Sequence, residues 1–118
     1  MEPPEDSFGG ILNYEAIFYW SKRMYRIEIV ANKSVEEDII EALENYIPDM
    51  LYTTFPQVFG RGGDDYKMGN TTWPETNFVM FSYIKDEQLE PVKEIIKSVK
   101  AKFVNEGIKL FAIKAEEI

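Results

Sequence analysis

Neither cysteine nor histidine occurs in the 118 residues. The first absence excludes disulfide staples and thiol nucleophiles. The second removes imidazole acid–base chemistry, and together they remove the usual ligands of zinc and copper. A bound metal would have to be a hard cation held by carboxylates and carbonyls, and no metal or cofactor site is assigned. Cations are also scarce: 13 Lys and Arg stand against 21 Asp and Glu, a formal charge of -8. Non-specific nucleic-acid binding needs clustered Lys and Arg, so nucleic acid is excluded as a partner, and anionic membrane surfaces are disfavoured for the same reason. Long apolar runs are missing too. Ile11–Trp20 is too short to span a bilayer, and the basic Ser21-Lys22-Arg23 follows it, the reverse of a signal peptide. The lack of cysteine fits a cytoplasmic location.

What is present suffices for one domain with a single core. Hydrophobic content of 45% and aromatic content of 14% argue against global disorder. Residues 1–23 read as an N-terminal extension and 24–118 as the domain. Met1–Gly10 is acidic and rich in Pro and Gly, so it is expected to be loose. Ile11, Tyr14, Ile17 and Phe18 recur at helical spacing, while Ile17–Trp20 would suit a strand equally well. That stretch is expected to pack on the core or on a neighbouring subunit.

From Met24 the pattern becomes regular. Tyr25, Ile27 and Ile29 alternate with Arg26 and Glu28, which predicts a half-buried strand over Met24–Ala31. Ser34 and Glu37 have capping-box spacing, and Val35, Ile39, Ala42, Leu43 and Tyr46 form the apolar stripe of a first helix stopped by Pro48. A strand over Met50–Val58 is expected to bend at Pro56. Asn77–Ile84 reads as another strand, followed by a helix over Glu87–Asn105 capped by Asp86. Leu89, Val92, Ile95, Ile96, Val99 and Phe103 are its buried face, and Gly107 its left-handed stop. Ile108–Lys114 is the last strand. The order strand–helix–strand–strand–helix–strand predicts an α+β, ferredoxin-like βαββαβ fold: a four-stranded antiparallel sheet with both helices on one face. The other face is then bare, and a second subunit is its expected cover.

Between Phe55 and Asn77 lies a polar segment too long for a tight turn, and such segments are often functional. Gly60-Arg61-Gly62-Gly63 lacks the Gly-Lys-Ser/Thr of a nucleotide phosphate loop, and Asp64-Asp65 stands where a dinucleotide fingerprint would open a helix. What remains is glycine amides and Arg61 approaching a small anion, or glycines that only supply positive φ. Asp64 and Asp65 read as a hard-cation pair or as solvated charge, the latter favoured. Trp73, held extended by Pro74, reads as a lid over a cleft or as a packing anchor.

Two motifs carry a family resemblance. Val58-Phe59-Gly60-Arg61-Gly62-Gly63 resembles the Gly-Phe-Gly-Arg entry into the long loop of P-II-like signalling proteins. Trp73-Pro74-Glu75-Thr76-Asn77 resembles the Trp-Pro-x-x-Asn return of their short, divergent members. The resemblance spans about Met24–Ile113. It implies a homotrimer whose sheets face an inner core, with small-ligand sites in the clefts between subunits. It also implies a loop that reports ligand state to an enzyme or membrane transporter. The second phosphate-binding loop of true P-II proteins has no counterpart, since Val104-Asn105-Glu106-Gly107-Ile108 is short and acidic. Combined with the residues, the resemblance predicts a non-enzymatic regulator that binds a nucleotide or other anionic metabolite at Gly60, Arg61, Gly62, Gly63 and Trp73. It would act on its partner through residues 56–77. The alternatives are a ligand-free oligomer of CutA-like architecture and a small enzyme using Asp64, Asp65 or Glu75.

Overall fold

Alternation along one strand sets the architecture. In the computed structural model, which describes residues 23–118, strand β1 spans Met24–Asn32. Its Ile27, Ile29 and Ala31 are buried, while the residues between them face the other way. Helix α1 (Glu36–Tyr46) follows a short 3-10 turn. Strand β2 (Thr53–Val58) leads into two short strands, β3 (Gly60–Gly62) and β4 (Asp65–Lys67). Strand β5 covers Asn77–Lys85, helix α2 Leu89–Lys102 and strand β6 Ile108–Ala115. The four long strands form one sheet in the order β2-β5-β1-β6, and every adjacent pair is antiparallel. This is the predicted ferredoxin-like arrangement, with a small β3–β4 sheet inserted.

Both helices lie on the face that carries Ile27, Ile29, Phe78, Met80, Ile84 and Ile108, all at most 2% exposed. Ile39 and Leu43 of α1 and Val92, Ile95, Ile96 and Val99 of α2 close the core from above. Ser82, the one polar side chain of β5 on this face, donates its hydroxyl to the Leu51 carbonyl and is thereby satisfied. The bend expected at Pro56 is present as a register shift between Phe55 and Val58, where proline has no N–H for the ladder.

Several local expectations are corrected. Helix α1 has no side-chain cap from Ser34; Asn32 instead accepts from the Ser34 amide and opens the 3-10 turn, so the helix proper starts at Glu36. The carboxamide acts one step earlier than the hydroxyl would, satisfying the Ser34 amide at the start of the 3-10 turn and not an amide in the first turn of the α-helix. Tyr46 is 77% exposed, beyond the rim of the stripe. Helix α2 ends at Lys102, and Gly107 is not in the left-handed region; the turn is closed by the Phe103 amide on Val99 O and the Glu106 amide on Phe103 O. The helix stops before it reaches the glycine. The reading of Ile11–Trp20 as helix or strand lies outside the described residues.

Phe78→Ala removes the largest fully buried side chain and is expected to lower the unfolding free energy by about 3–5 kcal/mol. Tyr46→Ala should stay within about 0.5 kcal/mol of the parent. Chemical denaturation measures both, and a large loss at Tyr46 would return it to the core.

Candidate functional site

The segment between β2 and β5 is an ordered hairpin and not the structureless loop its length suggested. Gly60 pairs with Lys67, Arg61 with Tyr66 and Gly62 with Asp65, which leaves Gly63-Asp64 as a two-residue turn. Gly63 has φ +60°, and among the described residues no non-glycine residue has positive φ. A glycine with positive φ at the first central position alone is the pattern of a type II′ turn, whose twist matches the flanking strands.

The return path is equally fixed. Asn70 accepts from the Thr72 and Trp73 amides at 3.1 and 2.7 Å, and its own amide donates to Trp73 O. This turn lays Trp73 against Tyr66, with ring centroids 4.9 Å apart, while the Arg61 guanidinium lies 5.0 Å from the Tyr66 ring. Gly69 has φ +64°, and a Cβ there would meet Phe59 and Thr76 at 3.1 and 3.0 Å, so no other residue fits without displacing a neighbour.

Lys67 ties the hairpin to the sheet. Its Nζ is 2.5 Å from Glu75 Oε2 and 2.9 Å from Asp65 Oδ2, and its side chain is only 13% exposed. Glu75 Oε1 accepts from Asn32 Nδ2 at 3.3 Å, and the Lys33 amide donates to Thr76 O. The Lys67 ammonium, with help from Asn32, holds the Glu75 carboxyl below the usual carboxylate range. The same bonds to Glu75 and Asp65 raise the Lys67 pKa.

Beside this anchor is an open cleft of about 310 Å³. Arg61, Gly62, Asp65 and Lys67 line it from the hairpin, Asn32 and Asn77 from the sheet, and Lys109 from β6. Lys109 stands opposite Val30 on the helix-free side and makes no ion pair among the described residues. A larger cavity of about 570 Å³ lies at the other end of β5 beside Tyr52 and Ile84, but Asp49 and Glu117 are set against its one cation, Lys85. Of these two cavities, the hairpin cleft is the one where cations predominate.

Of the residues singled out in the sequence, Arg61 and Gly62 line the cleft. Gly60 packs at the Asn77 side chain, Gly63 forms the turn, and Trp73 lies on Tyr66 and not on the cleft lining. Arg61 is folded back, its Nε donating to Gly63 O at 2.6 Å. Asp64 and Asp65 face different cations: Asp65 bonds Lys67, and Asp64 stands 3.9 Å from Arg61. Lys67 and Lys109 were not foreseen. The outward parity of Lys109 in Ile108–Lys114 was the available signal, usable only once β6 is paired with β1.

No protein-family model matches the chain, and no curated protein matches it by sequence. Solved structures do. CPII, a nitrogen regulatory PII-like protein from Thiomonas intermedia K12 bound to ADP, AMP and bicarbonate, superposes with a TM-score of 0.63 at 14% identity, over 80% of this chain and 92% of that one. A second CPII structure, with ADP and bicarbonate, gives 0.58 at 14% identity, over 80% and 89%. A PII-like signaling protein from Thermus thermophilus gives 0.56 at 14% identity, over 80% and 89%. The fold is therefore that of the PII-like proteins.

Glu75→Gln tests the anchor. Because the folded-state pKa of Glu75 is lowered, its stabilisation is present above the ordinary carboxylate range and is lost as pH falls through the lowered value. The variant should melt about 1–3 °C below the parent at neutral pH. That gap should close in acid. A gap that persists unchanged in acid would show that the ionised carboxylate is not responsible.

Proposed function

We propose that this PII-like fold serves as a non-enzymatic, trimeric regulatory module of the cytoplasm. Residues 24–118 would be the regulatory domain and 1–23 an extension. A small anionic ligand, nucleotide or other metabolite, would sit at the hairpin cleft, and residues 56–77 would present its state to a partner enzyme or transporter. Gly60, Arg61, Gly62, Gly63 and Trp73 remain the proposed ligand segment; Arg61 and Gly62 share the cleft lining with Lys109.

The observation that carries the reading is the convergence of Arg61 and Lys109 on one open cleft bordered by hairpin backbone. Lys67 is already matched by Asp65 and Glu75, so Lys109 supplies the uncompensated positive charge and Arg61, in only a long, exposed contact with Asp64, can add to it. Arg61 can leave Gly63 O for a ligand at little cost, since both ends of that bond are exposed. Tyr66 and Trp73 would move with it, which gives the hairpin two arrangements for a ligand to choose between. That CPII binds nucleotides and bicarbonate on the same fold supports the class of ligand. Catalysis is disfavoured by Glu75: its pKa moves downward, away from the range in which a carboxyl moves protons at neutral pH. The contact of Arg61 with its own hairpin is what favours the rival reading, a ligand-free oligomer.

Calorimetry against AMP, ADP, ATP, bicarbonate and inorganic phosphate, with light scattering on the same sample, tests the proposal. The expected mass is three times the 13.8 kDa chain. Arg61→Ala and Lys109→Ala should each weaken binding by about tenfold or more with the melting temperature unchanged. Equal binding by variants and parent would remove the cleft, and no binding of any compound would favour the ligand-free oligomer.

A further inference from the structure

The helix-free face of the sheet is apolar at its edges and ionic at its centre. Phe55 from β2, Val79, Phe81 and Tyr83 from β5, and Phe111 and Ile113 from β6 share the outward parity. Phe55, Tyr83, Phe111 and Ile113 are 51–54% exposed, which is high for aromatic and branched side chains set side by side on regular strands. Between them on β1 stand Arg26 and Glu28. Arg26 sits between Tyr83 and Ile113, and Glu28 between Phe81 and Phe111.

Arg26 is held in place from three sides. Its Nε donates to Glu28 Oε1 at 2.9 Å, one Nη donates to the Tyr83 hydroxyl at 2.8 Å, and the guanidinium lies 4.2 Å from the Phe81 ring centroid. Its remaining N–H donors and the second oxygen of Glu28 make no further hydrogen bond within the described residues. Resting on the trimeric reading above, we propose that Arg26 and Glu28 form the polar centre of a contact between copies of this chain, and that this pair fixes how the copies meet.

A surface that displays both halves of an ion pair is complementary to another copy of itself, which supplies an anion for each spare donor and a donor for each spare oxygen. Self-association of a chain with formal charge -8 also needs a patch where charge cancels, and here it does. A lipid surface is a poor occupant, because hydrocarbon would cover the ions and satisfy neither. Once the aromatic rim is covered, the pair lies in a low dielectric. Loss of one member then strands the other, whereas loss of both leaves an apolar face that still associates but no longer in one arrangement.

The test is a four-variant series of the full chain read by analytical ultracentrifugation and native mass spectrometry, with circular dichroism as the folding control. Arg26→Met and Glu28→Val singly should weaken association by about 100-fold or more. The Arg26→Met/Glu28→Val double should associate within about tenfold of the parent, but as a mixture of masses. The charge-swapped double Arg26→Glu/Glu28→Arg should regain the single parental mass, which keeps the test open if a single variant fails to fold. Single variants that assemble like the parent, or doubles no better than the singles, overturn the inference while leaving the oligomer intact. A monomeric parent overturns the trimeric reading on which it rests, and pairing with a different protein only would overturn both.

Discussion

Side chains on β1 must serve two environments, because the strand is central in a sheet that helices cover on one face only. Ile27, Ile29 and Ala31 point into the helix-covered core and are at most 1% exposed. Arg26, Glu28 and Val30 stand on the opposite face with the outward residues of β5 and β6. A one-residue slip would put the ion pair into the core and the isoleucines into water, so the register of the sheet is specified by this alternation. The hairpin anchor lies at one end of that strand, and the Arg26–Glu28 pair on its outer face.

The end that matters is Asn32. Its amide group opens the turn into α1 with one atom and holds Glu75 with the other. Through Glu75 it reaches Lys67 and the hairpin, so the start of a core helix and the rim of the cleft share one side chain. Asn32 is 4% exposed and has both polar atoms engaged, as a buried carboxamide requires. The base of the hairpin is thus coupled to the core, while its tip, Gly63-Asp64, is exposed and contacted by Arg61 of the same hairpin.

The strand and helix order was legible because each long element carries a clean period, two in β1 and close to 3.6 in both helices. The bulge at Pro56 was legible from one residue with no N–H. The β3–β4 hairpin was not, since strands of three residues show no apolar alternation and only the Gly63-Asp64 turn marks them. The helix boundaries slipped for a related reason: Asn32 and Ser34 are both good caps, and only tertiary contacts with Glu75 and Thr76 choose between them. In the cleft, Arg61 and Gly62 announced themselves through local glycine chemistry. Lys67 and Lys109 lie far apart in the chain and in separate sheets, and border one cleft only in the folded protein, which no local window contains.

β6 borders the sheet with its outer side unpaired among the described residues. Its segment Ile108–Ala115 is apolar enough to invite a foreign strand, and its lysines at 109 and 114 are the kind of charge that discourages such templating. Lys109 is therefore placed as a gatekeeper near one end of an aggregation-prone rim. Any natural drift that discards this cation would leave the rim less guarded and the chain stickier, which ties the charge bordering the cleft to colloidal behaviour.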